Sequence, residues 1–165
     1  MTQTRSTSSA AGGGRVADPV HAWDAHNERL TGHLEGQDFE SMDALPVLRW
    51  ATDTFEADRI VLNTSFQYSG VAMIHMAVEA DLRLRFATID TLRLHPETYA
   101  FLREVEDRYG IDIEVQRPDT DQLQGMVRRF GEYLFFDSKT LQEYCCQIRK
   151  VKPNEQLLMT LDCWV

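Results

Sequence analysis

The sequence contains no apolar run approaching the roughly 18 to 20 residues that span a bilayer, so no membrane partner is expected. Cysteine is scarce. Cys145, Cys146 and Cys163 are the only three, an odd number gathered at one end, which excludes a disulfide framework of the kind that staples small secreted domains. Adjacent cysteines do not readily pair, because the small ring between them is strained. Positive charge is also in deficit, with 17 Lys and Arg against 26 Asp and Glu, a formal charge of −9. A general nucleic-acid binder would carry a basic face, so no nucleic-acid partner is expected. An acidic chain still binds an anion where a few cations and backbone amides converge. The stretch from Met1 to Gly14 lacks the apolar core of a secretory signal, and a cytoplasmic location, where free thiols persist, is expected. There is no Walker loop, no dinucleotide glycine fingerprint, no internal repeat and no readable Ser-His-Asp arrangement. His21, His26, His33 and His75 have no spacing that converges on a metal.

What remains is an ordinary globular composition in 165 residues, enough to bury a core without disulfides or metal. Residues 1–19 read as a flexible tail and residues 20–165 as one domain. Val20 to Phe55 is helical in pattern, with Leu30, Leu34 and Phe39 followed by Met42, Leu45, Leu48 and Trp50. Both helices are expected to cover one side of a sheet. Arg59 to Thr64, Leu84 to Ile89 and Ile111 to Gln116 are short apolar runs that read as buried strands. Helical stretches separate them: Val71 to Asp81, then Pro96 to about Gly110, then a helix capped by Asp119 or Thr120 and running to Phe130. A last helix is expected from Ser138 to Val151, with Pro153 starting another, and Leu161 to Val165 opens a fourth strand. Trp23, Trp50 and the Tyr133–Phe136 cluster suit the core. Strands alternating with helices indicate a parallel sheet built from βαβ units, and one that ends on the first residues of a strand reads as cut short.

Three motifs carry chemistry. Thr64 to Gly70 (TSFQYSG) lies between a strand and a helix. Its small hydroxyl residues and glycine let consecutive amides turn inward toward a helix N-terminus, which is an anion site. The same residues also suit a plain turn capped by Ser69. Asp90 to Thr98 (DTLRLHPET) follows the second strand. In a parallel sheet, neighbouring carboxyl ends share one ligand crevice, so Asp90, Thr91 and Arg93 would lie beside the first loop. Otherwise Asp90 and Thr91 cap a helix and Arg93 is solvated. In Glu143 to Lys150 (EYCCQIRK), cations one turn from two thiols favour thiolates, the form that binds iron or attacks electrophiles. On a helix the two cysteines diverge, so one of them can be buried and inert.

In this order, TSFQYSG, IDTLRLHPETY, QEYCCQIRKVKP and LDCWV resemble the adenylyl-sulfate and phosphoadenylyl-sulfate reductases, from about residue 40 onward. The resemblance implies a three-layer, Rossmann-like α/β fold of the adenine-nucleotide α-hydrolase type. It implies reduction of adenylyl sulfate, or its 3′-phosphorylated form, to sulfite with thioredoxin or a similar thiol donor. On this likeness Ser65, Phe66, Gln67, Ser69, Gly70, Asp90, Thr91, Arg93 and Arg149 bind substrate and Lys150 supports catalysis. Cys145 and Cys146 match the first of two cysteine pairs that hold a four-iron, four-sulfur cluster. The second pair and the catalytic cysteine would lie beyond Val165, so this chain alone is expected to be inactive. Cys163 stands where the family has a small apolar residue, Leu92 where a glycine follows Asp-Thr, and Tyr68-Ser69 where an acidic residue is common. A non-catalytic nucleotide-binding remnant, or an ATP-using nucleotidyl transferase of the same superfamily, is the competing reading. A homo-oligomer is compatible with either.

Overall fold

The computed structural model describes residues 28–165, so the expected tail at residues 1–19, Trp23, and part of the first helix lie outside the described residues. Residues 28–34 are helical and belong to a separate unit that ends at Gln37. The second unit, Asp38–Val165, carries the sheet.

The sheet has four parallel strands, β1 (Ile60–Asn63), β2 (Arg85–Ile89), β3 (Ile113–Gln116) and β4 (Cys163–Trp164), in the order β3-β2-β1-β4. Leu62 aligns with Phe86, Phe86 with Ile113, and Val61 with Trp164. Between them run α2 (Tyr68–Glu79), α3 (Pro96–Tyr109) and α4 (Thr120–Phe130), preceded by α1 (Ala44–Thr54). Local chemistry explains the boundaries. Pro96 opens α3, and Gly110, at φ 62°, closes it in the left-handed region that favours glycine. Asp119 caps α4 by accepting from the N–H of Gln122 at 2.9 Å.

Strand alternation separates two apolar faces. Leu62 and Phe86 pack with Ile74 and Ala77 of α2, Val105 of α3 and Ile113. On the opposite face, Val61 and Ala87 meet Leu157 and Leu161. Each large apolar side chain so buried is worth about 1.5–3 kcal/mol, against at most about 1 kcal/mol for an exposed ion pair, so this layering sets the architecture. Arg59 and Asp162 form a two-bonded ion pair, at 2.7 and 2.8 Å, that ties the start of β1 to the approach of β4.

Three local expectations change. The final helices form one continuous run: α5 (Lys139–Cys146), a wider π turn (Gln147–Val151) and α6 (Lys152–Leu158). Pro153 has no N–H to return to the carbonyl of Arg149, and its ring crowds that carbonyl. The ladder opens into the wider turn instead of stopping. The Tyr133–Phe136 cluster is not core throughout. Leu134 is buried and Phe135 packs beside it, but Tyr133 is 64% and Phe136 79% exposed, because a single short 3-10 turn cannot direct all four side chains inward. Ser69 does not cap α2, which starts at Tyr68 with Gln67 in the cap position.

Gly70 has a steric reason. A Cβ built there would lie 2.2 Å from Oγ1 of Thr64, the atom that accepts from the N–H of Phe66 at 2.9 Å. Gly70→Ala would add about 1 kcal/mol of helix propensity, yet the overlap costs about 1–3 kcal/mol. A lower urea midpoint is expected for Gly70→Ala, with much of the loss recovered when Thr64→Ala is added. An unchanged midpoint would contradict the close approach.

Candidate functional site

The carboxyl ends of β1 and β2 open onto a cleft of about 450 Å³, a size suited to a small ligand. Asn63, Thr64 and Ser65 line it from β1, and Thr88, Ile89, Thr91 and Leu94 from β2 and its loop. Lys150, Val151, Asn154 and Glu155 form the opposite wall, with Trp164 at the β4 side. Lys150 and Asn154 are spaced to share one helical face.

The turn after β1 is shaped by Thr64. Its hydroxyl accepts from Phe66, which sits at φ 61°. Phe66 packs against the core and meets Phe101 edge to face at 6.0 Å. Gln67 and Ser69 are exposed at the start of α2, whose unpaired N–H groups and dipole favour a negative ligand. Of the residues expected in this loop, Ser65 lines the cleft directly and Gly70 makes room for the turn.

The loop after β2 is held from behind. Asp90 is 2% exposed and accepts from the N–H of Leu92 at 2.8 Å, the hydroxyl of Tyr99 at 2.7 Å and Nε of Arg117 at 3.1 Å. This clasp holds Leu92 at φ 58°, the left-handed region where the resemblance expects glycine. Thr91 faces the cleft, and its carbonyl accepts from Nη1 of Arg149 at 2.9 Å. Arg149 is 5% exposed and also pairs with Glu132 at 3.6 Å. Arg93 donates to the carbonyl and carboxylate of Glu132 at 2.9 and 3.0 Å and lies over the rings of Tyr133 and Phe135. Arg93 and Arg149 are thus brought together by Glu132, and Arg149 lines a second cavity with Leu92, Val127 and Arg128. Lys150 is the cation on the cleft wall itself.

Cys145 is 6% exposed, packed with Met126, Leu134 and Ile148, and Cys146 is exposed. Among the described residues, no three His, Cys, Asp or Glu side chains gather as a metal site. Four thiolates are the usual complement of an iron–sulfur cluster, so the pair alone does not fit one. Burial, then the charge of Asp162, pushes the Cys163 thiol up, which keeps it protonated and poorly nucleophilic at neutral pH. No cysteine lines the cleft.

Asn63, Thr88 and Asn154 also line the cleft but stand outside the motifs, and Trp164 of LDCWV lines it without having been expected as a site residue. A polar Asn63 after three buried apolar residues was the one available signal.

Burial raises the Asp90 carboxyl, but hydrogen bonds from Tyr99, Leu92 and Arg117 outweigh it and hold the group below its ordinary range. A depressed carboxylate contributes stability above its unfolded value, about pH 4, that is lost as pH falls through the folded value. Wild type is expected to be more stable than Asp90→Asn at neutral pH, with the gap in melting temperature narrowing below about pH 4. A constant gap would contradict the ionised clasp.

A family model described as the phosphoadenosine phosphosulfate reductase domain matches residues 59–165. The chain is similar to 5′-adenylylsulfate reductase 3, chloroplastic, of Arabidopsis thaliana, 33% identical over 142 residues that make up 80% of this chain and 30% of that protein. It is similar to adenosine 5′-phosphosulfate reductase of Pseudomonas aeruginosa, 35% identical over 94 residues, 57% of this chain and 34% of the relative. The chain therefore spans about a third of these relatives' length. Among solved structures, phosphoadenylyl-sulfate reductase from Candida auris in a phosphate complex shares the fold, with a TM-score of 0.60 at 20% identity over 81% of this chain and 60% of that one. The chain belongs to the phosphoadenosine phosphosulfate reductase domain family.

Proposed function

We propose that the cleft binds adenylyl sulfate, or its 3′-phosphorylated form, as the nucleotide-binding part of a reductase that releases sulfite. The observation that carries this reading is the meeting of Thr64, Ser65, Thr91 and Lys150 at one crevice. Hydroxyl-bearing residues and an ammonium there suit an anhydride between phosphate and sulfate. Asp90 serves as the frame of this site, since its carboxylate is engaged within the protein, and Arg149 adds to the frame through the bond from Nη1 to the Thr91 carbonyl. Arg93 braces the same frame through Glu132.

In the proposed reaction a thiolate attacks the sulfate sulfur, the sulfur–oxygen bond to the nucleotide breaks, and AMP leaves with the bond's electron pair. The thiolate then carries the sulfonate. A dithiol donor such as thioredoxin attacks the sulfenyl sulfur, releases sulfite and ends as a disulfide, so one dithiol is oxidised for each sulfate reduced. Among the described residues no cysteine lines the cleft, and in the proposed reaction the nucleophilic thiol is supplied from outside residues 1–165. The four-iron, four-sulfur cluster of the proposed enzyme would likewise take Cys145 and Cys146 with two thiolates from elsewhere.

Calorimetric titration of residues 1–165 tests the binding. Adenylyl sulfate is expected to bind more tightly than ATP, and Lys150→Ala to weaken it by roughly tenfold or more, the worth of a charged hydrogen bond. A preference for ATP would favour the nucleotidyl transferase instead. Residues 1–165 with adenylyl sulfate and reduced thioredoxin are expected to release no sulfite, and anaerobic reconstitution to leave well under one cluster per chain. Steady sulfite release would contradict the external nucleophile.

A further inference from the structure

Val61 and Asn63 share the sheet face that meets α6, because strand side chains alternate. Val61 packs with Ala87 and Leu157 in the apolar layer on that face. One step along β1 the layer turns polar. The Asn63 amide donates to the side-chain carbonyl of Asn154 at 2.9 Å, between residues 91 positions apart. Asn154 lies one helical turn before Leu157, on the same side of α6. Both asparagines are half-buried and both line the cleft.

A primary amide carries two N–H donors and a carbonyl acceptor. One mutual hydrogen bond leaves the pair with a carbonyl and N–H groups unmatched, whichever amide is the donor. Among the described residues neither side chain has another hydrogen-bond partner. A purely structural clasp would be served as well by two apolar side chains that continue the Val61–Leu157 layer. Instead the cleft acquires an acceptor and a donor side by side. That pair complements the edge of adenine formed by its amino group and neighbouring ring nitrogen, the edge that Asn and Gln read in nucleic acids. Ile89, Val151 and Trp164 supply apolar surface for the faces of a base.

The geometry points to Asn63 and Asn154 as the residues that select adenine over a six-oxo purine, an inference that rests on the nucleotide reading of the cleft. With a six-oxo purine the base carbonyl opposes the amide carbonyl, and a desolvated acceptor is left without a partner.

Titration of residues 1–165 with AMP and with inosine monophosphate provides the test. Wild type is expected to bind AMP roughly tenfold more tightly, the scale of one matched base edge. In Asn154→Leu the AMP affinity is expected to fall by about that factor while inosine monophosphate changes little, so the ratio collapses. Asn63→Val is the second variant, and thermal melting confirms that each is folded. Equal wild-type affinities, or a ratio preserved in a folded variant, would overturn the selection by these residues while leaving nucleotide binding in place. No AMP binding by wild type would overturn the nucleotide reading itself, and the selection with it.

Discussion

The hydrogen bond from buried Arg149 to the carbonyl of Thr91 joins the two walls of the cleft. One wall is the carboxyl edge of a parallel sheet, and the other is a helical run that returns from far along the sequence. Asn63 and Asn154 make the second direct link between the same walls. A guanidinium at 5% exposure is costly to leave without partners, so Arg149 holds the Thr91 loop and Glu132 to itself. Arg93 makes a further contact with Glu132 under an aromatic cover. The cleft therefore keeps its shape partly through Arg149, Arg93 and Glu132, which do not themselves line it.

Asp90 supports the same wall from the other side. Its carboxylate is occupied by Leu92, Tyr99 and Arg117, and this clasp makes a left-handed leucine tolerable. Non-glycine residues in that region lose about 1–2 kcal/mol, a cost three hydrogen bonds to a charged group can offset. The departure from glycine at position 92 is thus a local strain with a visible support. The π turn before Pro153 has a comparable logic: the missing N–H widens the helix where Arg149 leaves it.

Much of this fold could be read from the sequence because the signals were local. Pro96 at a helix start, Gly110 at its end, Asp119 as a cap and the short apolar strands each follow from neighbours within a few residues. The cleft's position followed from the parallel sheet. What could not be read depended on partners far away. Glu132 lies 39 residues from Arg93, and Asn154 lies 91 from Asn63, so neither pairing has a local signature. Asp90 and Arg149 were recognisable as special, but only the fold showed the Asp90 carboxylate and Nη1 of Arg149 turned to holding the loop. That Cys145 and Cys146 diverge followed from helical geometry, but which of them is buried was set by the distant partners Met126 and Leu134.

On the proposed function, the crevice between β1, β2 and α6 holds the nucleotide. Chemical-shift mapping of residues 1–165 titrated with AMP tests it most directly. The largest changes are expected in the backbone amides of Ser65 to Gly70, Thr91 and Lys150 and in the side-chain amides of Asn63 and Asn154. Changes centred instead on Leu92, Val127 and Arg128, around the second cavity, would contradict it.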